Sequence, residues 1–207
     1  MRRPPLPLLL SAVLLTACSS GTEPTAGPSA EAPAAVTPSA AASPTPTGAP
    51  DLEGLVVEPE PLSREHREGP IEYDRVPPVG GPHHPRWLAC DVYDEPVPFE
   101  VAVHSLEHGA VWFAYDPDLP QDEVRRLAAL ADRNREYVLV SPVTGLDSRI
   151  VAAAWGVSLE ASSADDPRLE QFLAAYAGGA QGGEPGAPCR GNGLTLREAR
   201  GLVGTSA

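Results

Sequence analysis

The sequence contains no lysine. All 15 basic residues are arginine, against 28 acidic residues. Past residue 17, 13 arginines face those 28 carboxylates, a net charge of −15. Such a polyanion lacks the basic footprint that nucleic-acid phosphates demand, and anionic headgroups repel it. Methionine occurs once, at position 1, which excludes a thioether site for Cu(I) beyond the start of the chain. Aromatics make up 5% and cluster in the second half, where a core must form. No apolar run reaches the roughly 20 residues that span a bilayer. The chain has no G-x-S-x-G and no glycine-rich phosphate loop ahead of a helix. Ser105 beside His104 is not a triad, because adjacency in sequence does not create nucleophile geometry.

What is present begins at the N-terminus. Arg2 and Arg3 precede a short apolar stretch, Leu6 to Leu15, and the small residues Thr16 and Ala17 precede Cys18. This order reads as a signal peptide over residues 1–17. Leu15-Thr16-Ala17-Cys18 resembles the bacterial lipobox, which implies a diacylated Cys18 as the first mature residue. The expectation is a protein held on the outer face of the cell membrane by lipid. Residues 19–50 contain only Ser, Gly, Thr, Glu, Pro, Ala and Val, too few apolar groups for a core, and read as a semi-stiff disordered spacer. The arginine-only, Ala- and Pro-rich usage points to a GC-rich genome, such as an actinobacterial one.

A single domain is expected over 51–200, with a tail at 201–207. Phe99, Ala102, Val103 and Leu106 fall at helical spacing in the stretch 98–108, with Gly109 suited to end the helix; a strand through Val101 and Val103 is the rival. Ala110 to Tyr115 and Tyr137 to Ser141 read as strands. Ile150 to Leu159 reads as a single strand with Trp155 inside it. Gln121 to Asn134 and Asp166 to Ala177 read as amphipathic helices. The order β-α-β-β-α predicts an α+β fold, a small mainly antiparallel sheet with two to three helices on one face.

With Cys18 lipidated, Cys90 and Cys189 form an even pair in an oxidising compartment, which favours a disulfide. It would close a loop of about 100 residues, worth at most roughly 4–5 kcal/mol. The rival reading makes Cys90 a metal ligand beside the histidines.

Four of the five histidines, His83, His84, His104 and His108, fall within 26 residues. Neutral imidazoles with carboxylates suit Zn(II) or Cu(II). His83, His104 and His108 are the expected ligands, with Glu107 and Asp91 as partners orienting the rings. Adjacent side chains in extended backbone point to opposite faces, so only one of His83 and His84 is expected in a site, the other being a surface loop residue. His104-Ser105-Leu106-Glu107-His108 also matches H-x-x-E-H, in which helical spacing places both imidazoles on one face and the glutamate acts as base on metal-bound water. On a helix Glu100 would share that face. The hydrolase alternative needs a third ligand, for which Glu170 is the helical candidate. A third alternative is a structural or interaction module whose histidines only pack.

The runs YDRVPPVGGPHHPRW, CDVY and VHSLEHGAVWFAY resemble the bacterial domain-of-unknown-function family 3105, over about Leu62 to Cys189. Its members show a PP-x-x-G-x-H loop and an H-x-LEHG-x-V segment. His83, His104, Glu107 and His108 carry the pattern, and His66 matches a less regular upstream histidine. Val79 and Gly80 depart from the usual small polar pair, and Asp91 replaces a glycine. The resemblance implies a membrane-anchored or secreted protein of unestablished activity.

Overall fold

A computed structural model describes residues 51–59, 61–184 and 187–204. The expected signal peptide and Cys18, the expected spacer to residue 50 and the last three residues lie outside the described residues. Among the described residues five strands form one sheet in the order β1-β5-β4-β2-β3: β1 Leu55–Val57, β2 Val111–Tyr115, β3 Val138–Pro142, β4 Ile150–Ala154 and β5 Val157–Ala161. All neighbouring pairs are antiparallel except β2 and β3. That parallel pair is joined through a crossover helix, α2 Gln121–Arg133, as parallel pairing requires. The fold is α+β. Among the described residues no helix is long and apolar enough to cross a membrane.

The helices cover both faces of the sheet, not one. Side chains alternate along β2. Val111, Phe113 and Tyr115 pack with α2 and α3 Pro167–Tyr176; Trp112 and Ala114 pack with α1 Phe99–Glu107 and α4 Leu196–Val203. In α3 the expected stripe of Leu169, Phe172, Leu173 and Tyr176 is buried. Asp166 caps it by accepting from Arg168 N, and Pro167 occupies the first helical position. α4 begins at a capping box, Thr195 with Glu198, and continues to Val203, past the expected domain end at 200.

The segment 150–161 is two strands. Trp155 and Gly156 form a two-residue turn between β4 and β5, and the positive φ of Gly156 (73°) lets the chain reverse. Gly156 N donates to Val79 O at 2.7 Å, which ties the Pro- and Gly-rich loop to the end of the hairpin. The turn also sends the Trp155 ring into the α1 side of the core.

Residues 99–107 are helical, and every one of them is buried. Gly109, at φ 91°, ends the helix and turns the chain into β2. A Cβ there would meet the backbone of Gly178 at 3.2 Å. Cys90 and Cys189 are disulfide-bonded, with Cα atoms 5.3 Å apart across a sequence separation of 99. Cys90 therefore offers no thiolate, and the reading of it as a metal ligand is overturned.

Candidate metal centre

The site is assembled on the C-terminal half of α1. Helical spacing places His104 and the C-cap His108 on one face, their Nε2 atoms 3.1 Å apart. Glu100, one turn earlier, is buried and accepts from Ile71 N at 3.0 Å. Loop 76–85 runs beside the helix. Its His83 is held by backbone bonds to a second extended segment: Arg67 N donates to His83 O at 2.8 Å, and His83 N donates to Glu65 O at 3.0 Å. This bridge brings His66 alongside His83.

His66, His83, His104 and Glu107 each offer one ligand atom, and all four atoms lie within 4.8 Å of one another. The rings of His66 and His104 stack at 5.0 Å, and His83 stands edge-on to both. His83 Nε2 lies 3.0 Å from Glu107 Oε2, and His66 Nε2 lies 3.8 Å from the same oxygen. Two ligands of one tetrahedral zinc, each about 2.0–2.1 Å from it, stand about 3.3 Å apart. The observed separations match that spacing closely enough for small side-chain shifts to admit an ion.

The tautomers favour the same reading. His83 Nδ1 donates to Gly81 O at 2.8 Å, and His104 Nδ1 donates to His84 O at 2.7 Å. A carbonyl only accepts, so each neutral ring carries its proton on Nδ1 and presents a bare Nε2 to the cluster. A bare nitrogen facing a carboxylate oxygen requires a positive centre between them, a proton or a metal ion. Burial pushes the pKa of His83 below the ordinary histidine value, against the pull of the Gly81 bond and Glu107. Burial, seconded by the neighbouring imidazoles, pushes His104 down to about 3. His108 is also lowered by burial, against Glu184 and Glu107. Rings kept neutral are rings ready to ligate.

Glu107 is more than an orienting partner: it belongs to the cluster of possible ligands. Its other oxygen meets Arg64 Nε at 3.6 Å. His108 belongs to an adjoining group with His104 and Glu184, again within 4.8 Å. His84 stays out of the site as expected, but it is buried, not a surface residue. It contributes its carbonyl to His104, while its Nδ1 accepts from Arg86 N at 3.0 Å. Asp91 is not part of the site. It is exposed, its carboxylate accepts from the next backbone N–H, and its own carbonyl accepts from Val140 N on β3. Pairing with the sheet edge turns that loop away from the histidines. Glu170 is exposed on α3, paired with Arg133, and is no third ligand.

Reading the sequence missed two members. His66 sits among exposed charged residues and enters the site only through the long-range bridge to His83. Glu184 lies in a Gly-rich stretch that looks like a plain connection. Gly182 and Gly183 lie against Glu107, and a Cβ at Gly183 would meet Glu107 Oε1 at 2.6 Å. Trp87 leans on His108 at 4.5 Å, and Trp155 meets His83 edge-on at 5.7 Å.

No curated protein and no solved structure matches this chain. A family model does match, over residues 65–191, a span that holds His66, His83, His104, Glu107, His108 and Glu184. The chain belongs to the family described as protein of unknown function DUF3105.

Proposed function

We propose that this chain is a lipid-anchored extracytoplasmic lipoprotein whose domain binds a divalent transition metal, Zn(II) or Cu(II). The ligands come from His83, His104, His66 and Glu107, with His108 adjoining. The observation that carries the reading is the convergence of bare imidazole nitrogens on a buried carboxylate, two of them with their tautomers fixed by backbone carbonyls. The disulfide removes thiolates and the composition removes thioethers, so borderline metals suited to imidazole and carboxylate remain. Calorimetric titration of the purified, metal-free full chain with Zn(II) and Cu(II) tests it. Saturable heat that disappears in the His83→Ala, His104→Ala double variant supports the reading; wild-type heat no larger than the variant's removes it. The anchor is tested separately: the chain extracted from membranes should begin at a diacylated Cys18 by mass spectrometry, and Cys18→Ser should release it from the membrane.

One observation favours a second reading, a metallohydrolase with Glu107 as base. The H-x-x-E-H segment is helical, with both imidazoles on one face. With Glu170 remote, His83 would have to serve as third ligand. Glu107→Gln separates the two readings. Metal binding retained with hydrolysis of a peptide or ester lost supports the enzyme; metal binding lost places Glu107 among the ligands.

A further inference from the structure

The geometry points to a relay: a single ion occupies in turn an outer seat made by His104, His108 and Glu184 and an inner seat made by His66, His83, His104 and Glu107. This inference rests on the metal-binding reading and adds to it a route by which the ion arrives and leaves.

His104 belongs to both groups. Its Nδ1 is committed to the carbonyl of His84, so only Nε2 has a free lone pair. One lone pair serves one ion. The two seats are therefore alternatives, and the pair is not a dinuclear centre.

The seats are prepared unequally. In the inner seat the Nδ1–H groups of His83 and His104 both have carbonyl acceptors. In the outer seat His108 Nδ1 is buried and has no hydrogen-bond partner among the described residues. When His108 Nε2 takes a metal, its ring proton must sit on that Nδ1, where nothing accepts it. A buried donor without an acceptor is unfavourable, so the outer seat is the weaker.

The outer seat also faces solvent. The Glu184 side chain is 55% exposed, yet its Oε2 lies 3.3 Å from His108 Nε2. Its backbone N donates to Glu107 O at 3.1 Å, so the main chain is pinned beside the site while the carboxylate reaches from His108 to solvent. The Nε2 atoms of His104 and His108 are 3.1 Å apart, so an ion moves between seats without leaving His104. An incoming ligand thus binds before the outgoing one departs, which lets a tightly held ion exchange quickly.

The test is kinetic, on the full chain with Zn(II). Affinity is measured by competition, and the rate of loss to an excess of a chromophoric chelator by stopped flow. Glu184→Gln, a substitution at an exposed side chain, should slow uptake and loss by the same factor and leave Kd unchanged. The relay is overturned if Glu184→Gln raises Kd and the loss rate together, which would make Glu184 an ordinary ligand. It is also overturned if neither rate changes, which would place entry beside the half-exposed His66, or if two Zn(II) bind per chain. A wild-type chain that takes up no Zn(II) overturns the metal-binding reading itself, and the same titration shows it.

Discussion

His83 Nε2 faces Glu107 Oε2 across 3.0 Å, while the opposite nitrogen of the same ring donates to the carbonyl of Gly81. The two contacts together fix the ring's orientation and leave its lone pair on a carboxylate. Both side chains are almost wholly buried, at 0% and 5% exposure. The pair joins the loop 76–85 to the end of α1, and what fills the space between its two atoms decides the stability of that junction.

Removing one partner tests it. Among the described residues His83→Ala leaves the buried Glu107 carboxylate the longer contacts to Arg64 and His66. Urea unfolding of the metal-free chain should show a loss of roughly 3 kcal/mol. The same substitution should weaken Zn(II) binding by at least about a hundredfold, more than the loss of an outer partner causes.

Acid should loosen the metal-free fold. Burial lowers the pKa values of His83, His104 and His108 in the folded state, His104 from 6.5 to about 3. Between those two values the unfolded chain binds more protons than the folded one, so stability rises with pH there and falls on acidification. The melting temperature should be highest above pH 6.5 and decline steadily below it. An unchanged melting temperature between about pH 5 and 7.5 would contradict neutral, buried rings. Zn(II) should raise the melting temperature at neutral pH, and the increment should vanish on acidification as protons displace the ion.

Gly182 is a steric test of the strap over the site. A Cβ there would press on the backbone carbonyl of Glu107, which cannot yield as a flexible side chain can. Gly182→Ala should displace the bond from Glu184 N to that carbonyl and cost roughly 1–3 kcal/mol by urea unfolding. A neutral result would mean that the strap does not hold this position in solution.

Reduction of Cys90–Cys189 should destabilise the domain through the unfolded chain, which regains the freedom of a long loop. The expected loss is about 2–4 kcal/mol, read as a lower urea midpoint in reductant. Trp87 and Leu194 flank the bridge and are themselves paired by Leu194 N donating to Trp87 O, so folding should remain cooperative.

The sequence made the amphipathic helices legible because their information is local. The stripe of Leu169, Phe172, Leu173 and Tyr176 and the Asp166-Pro167 start both lie within α3. The hairpin at Trp155-Gly156 was hidden because an almost unbroken apolar run from Ile150 to Leu159 looks like one buried strand, and one glycine at positive φ decides otherwise. Thr195-x-x-Glu198 is a legible start signal for α4, a helix of 8 residues. His104, Glu107 and His108 were found through helical spacing. His66 and Glu184 were not, since a parallel bridge and a glycine-lined strap bring them in from distant parts of the chain. Asp91 is a carboxylate near the histidines in sequence only; the pairing of its loop with β3 decides where it points.

The His83-His84 pair divides its labour between side chain and main chain. Position 83 supplies an imidazole to the cluster, while position 84 supplies a carbonyl that orients the imidazole of His104. Every L-residue carries that carbonyl. Replacing the buried side chain at position 84 therefore removes an imidazole and its turn with Arg86 but keeps the carbonyl, whereas Gly81, at φ 99°, presents its carbonyl from a backbone conformation that favours glycine. Part of what aims this cluster is written in the polypeptide backbone, and at position 84 no comparison of side chains can read it.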